Sequence, residues 1–349
     1  MLTAIRQACL AALALATCAV ASAASASYEV AARWPLGGDG GWDYLEMQSA
    51  AHLLYVSRAT HVIVVDTARG AIVGDIGDTP GVHGIALAPE LNRGFISAGK
   101  ANQVKVFDLA TRAVLASIDV GSNPDAILYE PKTRQVLSFN GASGSVSVID
   151  AARELVVATV PLGGKPEFAR AGRDASVFVN IEDRNQLVAF DAAKRAVLAT
   201  WSLPGCEAPT GLALDIEHHR SFSVCSNAVM TILDTRSGRA LASLPIGRGV
   251  DGAVFDPASQ NAFSANGEGS ITVVHEADPE HFTVVQTLAS ARGARTVALD
   301  AKTHILYLPS AEFGEPPPAA PPGAHPRPPI LPGTFFLLSV KAAGPAPAR

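Results

Sequence analysis

Seven polar or charged residues recur at nearly even intervals along this 349-residue chain and form the first candidate site. They are Asp43, His83, Asp125, Glu167, Thr210, Asp251 and Arg295, separated by 40, 42, 42, 43, 41 and 44 residues. Four carboxylates against one Arg and one His would make an electronegative site, which suits a divalent cation with oxygen ligands or a cationic small molecule. Crowded carboxylates would also have raised pKa values, as a general base near neutral pH requires.

A second interpretation of the same residues is structural, because an Asp that opens a strand often caps the preceding turn. Both interpretations stay open. If a divalent metal ion is the cofactor, its predicted ligands are Asp43, Asp125, Glu167 and Asp251. The sequence contains no Gly-x-Ser-x-Gly, Walker, His-Glu-x-x-His or Gly-x-Gly-x-x-Gly motif that would assign catalytic residues.

The elements that must position these residues are repeats of about 42 residues. An aspartate closes one apolar run in each of five modules: Asp66 in VIVVD, Asp108 in VKVFD, Asp150 in VSVID, Asp191 in LVAFD and Asp234 in MTILD. His275 and Ser339 take this position in the sixth and seventh modules. Four short β-rich runs per module are typical of propeller blades. The sequence therefore predicts an all-β, seven-bladed β-propeller of four-stranded blades, with the seven polar residues around one mouth of its channel.

Closure of the ring is predicted from the two ends of the repeat region. Residues 28–36 resemble the outermost strand of a blade, whereas the last module stops after its third strand at 335–340. The N-terminal strand should therefore complete the seventh blade and remove an open edge. The predicted domain spans 28–341, and a disordered tail is predicted over 342–349.

The wording of the modules resembles a known family. Residues 145–162, SVSVIDAARELVVATVPL, followed by Gly-Gly-Lys-Pro, are similar to the YVTN-type repeat of the YncE-like β-propellers. The resemblance covers residues 30–340 and implies an exported propeller with a binding or scaffolding role. The Tyr-Val-Thr-Asn stretch itself survives only in fragments such as 54–57, LYVS, and Pro is absent before the first, sixth and seventh inner strands.

Loops between the second and third strands should add a second layer at the same mouth. This layer comprises Arg58, Lys100, Asn140, Glu182, Asn227, Asn266 and Glu312. Asn-Gly pairs also serve as hairpin turns, so Asn140 and Asn266 have a structural alternative. In the last blade this loop contains a Pro-rich insertion, 313–333, which should be unable to pair in a sheet. It is either a lid or docking strand that brings His325 to the mouth, or a surface insertion.

The first 26 residues have the pattern of a secretory signal peptide: an early Arg, an apolar Ala/Leu stretch and small residues at the end. A lipoprotein cleavage at Cys18 is the weaker alternative. We expect a periplasmic or secreted protein without a membrane span. After cleavage only Cys206 and Cys225 remain, and an oxidising compartment favours a disulfide between them over two buried thiols.

The first functional hypothesis is an exported, non-catalytic propeller that binds a small molecule or a protein at its acidic mouth. The alternatives are a metal-dependent hydrolase or lactonase-like enzyme at the same mouth, with His83 as acid or base, and an accessory subunit of a periplasmic redox assembly. With 17% charged residues and a net charge of -5, nucleic-acid binding is not expected. We expect a monomer. The histidines His52, His218, His219 and His304 fall at turns on the opposite face and predict no metal site there.

Overall fold

The computed structural model describes residues 27–316 and 328–344, and within them 28 strands form seven four-stranded antiparallel sheets. These sheets are the blades of a seven-bladed β-propeller, so the predicted fold is confirmed. The predicted signal peptide (1–26), His325 with residues 317–327, and positions 345–349 lie outside the described residues.

Six blades use strands consecutive in the chain, ordered from the channel outward. Blade 1 contains β2 (Leu45–Gln48), β3 (Leu53–Arg58), β4 (His61–Asp66) and β5 (Ala71–Ile76). Blade 2 contains β6 (Val82–Ala88), β7 (Arg93–Ala98), β8 (Gln103–Asp108) and β9 (Val114–Asp119). Blade 3 contains β10 (Pro124–Glu130), β11 (Gln135–Asn140), β12 (Ser145–Asp150) and β13 (Leu155–Pro161). Blade 4 contains β14 (Pro166–Ala171), β15 (Ser176–Ile181), β16 (Gln186–Asp191) and β17 (Ala196–Ser202).

Blade 5 contains β18 (Pro209–Asp215), β19 (Arg220–Cys225), β20 (Val229–Asp234) and β21 (Ala240–Pro245). Blade 6 contains β22 (Val250–Asp256), β23 (Asn261–Asn266), β24 (Ser270–Asp278) and β25 (His281–Ala289). In the described part of the chain, three short 3-10 helices lie in loops, at Pro89–Leu91, Gly99–Ala101 and Glu182–Arg184. Over the described ranges, no helix is long and apolar enough to cross a bilayer.

Blade 7 joins the two ends of the chain. It contains β26 (Ala298–Asp300), β27 (Ile305–Ser310) and β28 (Phe336–Ala342), and its outermost strand is β1 (Tyr28–Pro35). The antiparallel pairing of β1 with β28 runs from Tyr28 opposite Ala342 to Pro35 opposite Phe336. This arrangement confirms the predicted closure and covers the edge that β28 would otherwise leave open.

The core lies between neighbouring blades. Strand β4 reads HVIVVD and buries four consecutive residues, because both faces of its sheet are covered by other blades. Outer strands alternate instead, as in β17, where partly buried and exposed residues follow one another. Between blades 1 and 2 the rings of Tyr55 and Phe107 lie 5.9 Å apart within an apolar cluster. Each buried side chain of this kind contributes about 1.5–3 kcal/mol to stability.

The aspartates that mark the repeat are turn residues. Asp108 Oδ1 accepts hydrogen bonds from the backbone N–H groups of Ala110 at 3.0 Å and Thr111 at 2.8 Å. Asp150 and Asp234 make the same pair of bonds to the second and third residues after them. Their regular spacing therefore reflects the turn between the third and fourth strands, where a short carboxylate caps the backbone.

The inner strands approach one another closely around the channel. A Cβ atom on Gly211 of β18 would lie 2.7 Å from the Cα of Gly252 in β22. Backbone separation this small admits only hydrogen at that point, so glycine allows the inner strands of blades 5 and 6 to converge. This convergence brings the residues at the strand entrances together.

Cys206 and Cys225 form a disulfide with an S–S distance of 2.05 Å and a Cα–Cα distance of 5.4 Å. Cys206 lies in the connection that enters blade 5, and Cys225 is the last residue of β19. Both sulfur-bearing side chains are buried in an apolar cluster with Leu203 and Leu212. The bond links the entrance of the inner strand to its neighbour.

Candidate functional site at the channel mouth

The side chains at the mouth are positioned by a repeated irregularity of the inner strands. In blades 2 to 6 the candidate residue is the second residue of its inner strand, and pairing with the second strand breaks at that point. The breaks lie between Val82 and Ile85, Pro124 and Ile127, Pro166 and Ala169, Pro209 and Leu212, and Val250 and Gly252. A β-bulge leaves its residue outside the ladder and re-aims the side chain, here at the mouth. Asp43 and Arg295 precede β2 and β26, which differs from their predicted place as first strand residues.

Small polar side chains on the second strands satisfy the backbone freed by these bulges. Ser97 Oγ donates a hydrogen bond to the carbonyl oxygen of Asp125 at 2.5 Å and accepts one from the N–H of Gly84 at 2.8 Å. Asn180 Nδ2 donates to the carbonyl oxygen of Thr210 at 2.9 Å. Because buried backbone groups need partners, these bonds hold the bulged shape of the inner strands.

His83 connects two carboxylates of the mouth. Its Nδ1 lies 2.7 Å from Asp43 Oδ2 and 3.7 Å from Asp125 Oδ1. Burial alone would lower the pKa of His83, but the hydrogen bond to Asp43 and the charges of both carboxylates outweigh it and raise the pKa to about 9. His83 is therefore positively charged at neutral pH.

Arg295 joins blades 6, 7 and 1. Its Nε lies 2.7 Å from Asp251 Oδ2, and its Nη2 donates to the carbonyl oxygen of Trp42 at 2.9 Å and lies 3.9 Å from Asp43 Oδ1. The three contacts fix the guanidinium group across the junction where the ring closes. Asp251, predicted as a metal ligand, is thus engaged by an arginine.

Lys165 supplies a cation that the sequence argument missed. Its Nζ lies 3.1 Å from Glu167 Oε2 and also forms an ion pair with Glu182. The residue that precedes the inner strand is Gly81, Asn123, Ala208 or Gly249 in blades 2, 3, 5 and 6. Blade 4 is thus the one among these five blades with a charged residue at this position, and this departure from the repeat is visible in the sequence.

Two carboxyl groups of the mouth retain protons near neutral pH. Burial raises the pKa of Asp125 from 3.8 to about 7, although the charge of His83 opposes the rise. Burial and the charge of Asp125 raise the pKa of Glu167 from 4.5 to about 8, with Lys165 opposing. These protons make the mouth less negative than four ionised carboxylates would. The positive charges of His83, Arg295 and Lys165 reduce its negative charge further.

The floor of the mouth is aromatic. Tyr44 follows Asp43 just before the inner strand β2, and its ring centroid lies 4.7 Å from that of Phe168 in an edge-to-face arrangement. Burial and the charges of Asp125, Glu167, Asp43 and Asp251 raise the pKa of the Tyr44 hydroxyl. The channel continues past these rings as a cavity of about 270 Å³ that is lined in part by Glu46 and Arg170.

Several members of the predicted second layer serve the fold. Arg58 was expected at the mouth surface, but it is buried, donates to the carbonyl oxygens of Asp39 at 2.8 Å and Gly40 at 3.2 Å, and stacks 3.6 Å from the ring centroid of Phe335. Thr210, one of the seven residues predicted at the mouth, lies with its hydroxyl 3.3 Å from the carbonyl oxygen of Val224 and 3.2 Å from that of Val250, so its single proton is shared between the two acceptors. These contacts explain the two residues without a ligand.

The remaining second-layer residues differ in their surroundings. Asn140 and Asn266 are buried and donate to Ser and Thr hydroxyls of their own hairpins. Asn227 bonds the backbone of the preceding connection, at Gly205 O and Glu207 N. Glu312 pairs with Arg33 on the outermost strand, at 3.2 Å, and Lys100 is exposed on its 3-10 helix. Glu182, also predicted in the second layer, forms an ion pair with Lys165, the lysine that pairs with Glu167 at the mouth.

The two ends of the Pro-rich insertion do pair with each other, which differs from the prediction. Phe313 and Ile330 form an antiparallel bridge, and Gly314 N donates to Pro329 O at 2.9 Å. The ring of Phe313 lies 6.1 Å from that of Trp42, next to Asp43. Pairing is possible here because Phe313 and Gly314 retain the N–H groups that proline lacks.

Comparisons with known proteins identify the fold. No family model and no curated protein sequence matches the chain. A solved chain titled Kuenenia stuttgartiensis Hydrazine Synthase superposes with a TM-score of 0.69 at 15% identity, covering 77% of this chain and 92% of that one. Structures titled U3-55K and RRP9 WD40 repeats superpose with TM-scores of 0.74 at 10% identity, covering 89% and 91% of this chain and 98% and 99% of theirs. At these identities the likeness shows a shared seven-bladed β-propeller fold.

Proposed function

We propose that this chain is a non-catalytic binding propeller whose channel mouth receives a positively charged group of a small molecule or a protein partner. One observation carries the proposal: Asp125 Oδ1 is buried at the mouth and accepts no hydrogen bond from the residues that the structure describes. The imidazole nitrogen His83 Nδ1 is 3.7 Å from this oxygen, beyond hydrogen-bond distance. A buried acceptor without a donor is costly, and an incoming cation would satisfy it.

Protons held at the mouth give the proposal a measurable consequence. Asp125 and Glu167 have pKa values of about 7 and 8, so a cation that binds them must replace protons. Binding should strengthen as pH rises from 6 toward 8 and should release protons into the buffer. The aromatic floor formed by Tyr44 and Phe168 would contact the apolar part of an amine or guanidinium ligand.

Isothermal calorimetry with spermidine, and separately with Ca²⁺ and Zn²⁺, tests the proposal. Repeating each titration in buffers of different ionisation enthalpy measures the protons released. We expect saturable binding of at least one probe with proton release near pH 7. Binding at the mouth should be lost in the double variant Asp125→Asn with Glu167→Gln.

The matched control is Asp119→Asn, an exposed aspartate on β9 that accepts a hydrogen bond from Gln103 at 2.9 Å. This variant removes one negative charge from an exposed position on the outermost strand of blade 2 and should bind like the parent. If no probe binds, or if the double variant and Asp119→Asn behave alike, the mouth is not the binding site.

An enzymatic role is the second candidate, because one ligand atom from each of Asp43, His83 and Asp125 lies within 4.8 Å of the others. The three side chains fit a divalent metal ion that would activate water for hydrolysis of an ester or lactone. His83 would then have to lose its proton, which its pKa of about 9 opposes. Metal-dependent hydrolysis of a chromogenic ester that disappears in His83→Asn would favour this role over binding alone.

Export and family membership complete the proposal. We assign the chain to the YVTN-type, YncE-like propellers on the strength of the repeat at 145–166, and we place it in the periplasm or outside the cell. The leader-like sequence and the disulfide between Cys206 and Cys225 support an oxidising compartment. Cell fractionation with mass determination tests it: the mature chain should lack the N-terminal leader and contain no free thiol.

A further inference from the structure

A second cluster of ionisable side chains lies at the end of the blades opposite the mouth. Asp215 ends the inner strand of blade 5, His218 follows in the turn, and Glu276 lies on β24 of blade 6. His218 Nδ1 is 2.5 Å from Asp215 Oδ2 and 3.6 Å from Glu276 Oε1. The three side chains therefore connect two neighbouring blades.

Glu276 is a buried carboxylate without a donor. Its side chain is 0% exposed, and neither carboxylate oxygen accepts a hydrogen bond from an N–H or hydroxyl group of the described residues, although the carboxyl group of Asp215 is close enough to share a proton with it. Arg220 is close enough to act on it electrostatically, but its guanidinium group is used by Asp234 at 2.7 Å and by the carbonyl oxygen of Pro279 at 2.7 Å. A carboxylate in this state requires a cation or a proton to offset the cost of its burial.

The internal repeat shows that other blades are built without a carboxylate at the position of Glu276. It follows His275, which occupies the position of the aspartate that marks each module. The residues at the same place in blades 3 and 4 are Ala151 and Ala192, buried to 1% and 0% exposure. Blade 6 thus places a carboxylate where blades 3 and 4 bury a methyl group and where blades 1, 2 and 5 carry the uncharged Thr67, Leu109 and Thr235.

The donor set has the chemistry of a transition-metal site. One imidazole and two carboxylates suit Zn²⁺, whereas Ca²⁺ takes six to eight oxygen ligands. One ligand atom from each side chain lies within 4.8 Å of the other two. Tetrahedral zinc with bonds of about 2.0–2.1 Å separates its ligands by about 3.3 Å. The contact from His218 to Glu276 is close to this value, and the shorter one to Asp215 would open on binding.

We propose that Asp215, His218 and Glu276 bind Zn²⁺ or a similar divalent transition metal and thereby fasten blade 5 to blade 6. Three protein ligands leave the fourth coordination position to water or to another donor. His218, whose side chain is 33% exposed, provides the solvent-facing side of the site. A proton shared by the carboxyl groups of Glu276 and Asp215 is the alternative to a bound metal ion at this site.

Zinc binding to the purified full chain tests the proposal. Metal-free protein is titrated with Zn²⁺ against a chromophoric chelator, and with Co²⁺, whose visible absorption reports four-coordinate binding. We expect one equivalent of zinc at this site and a thermal midpoint that rises by several degrees at saturating Zn²⁺. Glu276→Ala and His218→Ala should each remove that equivalent or weaken it at least tenfold.

Glu276→Ala recreates the alanine of blades 3 and 4, so it should fold and, in EDTA, be at least as stable as the parent. His218→Ala offers an independent variant in a partly exposed turn. Asp119→Asn, which alters an exposed aspartate of β9, is the matched control and should retain this zinc equivalent, whereas Asp125→Asn removes a ligand of the mouth and shows whether any bound zinc lies there instead. The proposal is overturned if the parent binds no zinc, if both variants of the cluster bind like the parent, or if only Asp125→Asn loses the metal.

Discussion

Replacing Asp125 by asparagine should stabilise the protein at pH 8 and have little effect near pH 4.5. Burial raises the folded-state pKa of this carboxyl from 3.8 to about 7, so between these values the folded protein retains a proton that the unfolded chain releases. The free energy of unfolding of the parent therefore falls as pH rises from about 4 to 7. At 1.36 kcal/mol per pH unit, the loss approaches about 4 kcal/mol above pH 7.

The asparagine variant avoids this loss because its side chain does not ionise. Its amide must fit beside the charged His83, which reduces the gain, so we expect the variant to exceed the parent by about 2–4 kcal/mol at pH 8 and by less than about 1 kcal/mol at pH 4.5. Guanidinium chloride unfolding, followed by tryptophan fluorescence at both pH values, gives the two differences.

Asp119→Asn is the control for this experiment as well, because it removes an exposed charge of the same kind. Its stability difference from the parent should stay within about 0.5 kcal/mol at both pH values. A difference for Asp125→Asn that stays constant with pH would show that the carboxyl is ionised in the folded protein, and the assignment of a proton to the mouth would then be wrong.

Two further predictions concern the scaffold. Replacing Cys206 and Cys225 by serine opens a loop closed over a sequence separation of 19 and should lower the free energy of unfolding by about 3 kcal/mol. Reduction of the parent should have a similar effect. If the serine variant and the oxidised parent are equally stable, the prediction is wrong. Gly211→Ala places a Cβ 2.7 Å from Gly252 Cα and should lower stability by about 1–3 kcal/mol, whereas Gly77→Ala, with no atom within 4 Å, should be nearly neutral. Denaturant unfolding of each pair measures both, and a similar cost at the two glycines would refute the close approach of inner strands.

The repeat made the fold predictable before any coordinate was known. A period near 42 residues with four β-rich runs defined the blades, and the missing last strand predicted that β1 (Tyr28–Pro35) would close the ring. These features depend on hydrophobic pattern and strand count, which are local properties of the sequence. The structure confirms both.

The detail of the mouth could not be read from the same pattern. Spacing placed His83 and Asp43 at equivalent positions of different blades, but it does not fix which side chains pair. The pairing of Arg295 with Asp251 and of Lys165 with Glu167 depends on the direction that each bulge gives to its side chain, which the spacing of 40 to 44 residues does not encode. The sequence predicts Arg58 in a loop at the mouth, but it is the last residue of β3 and is buried because its guanidinium group contacts the Asp39 carbonyl oxygen and the ring of Phe335.

Departures from the repeat are more informative than the repeat itself. Residues that recur at equivalent positions, such as the aspartates of the turns, are explained by backbone geometry that every blade shares. Lys165 and Glu276 occur in one blade each, at places where the other blades compared carry small or uncharged residues. A charge that the scaffold does not require, and that is partly or fully buried, must be offset by a partner.

Lys165 has Glu167 and Glu182 within the chain, whereas Glu276 has no donor among the described residues. Glu276 is therefore the charge that needs a ligand, and it lies at the end of the blades where the sequence predicts no metal site.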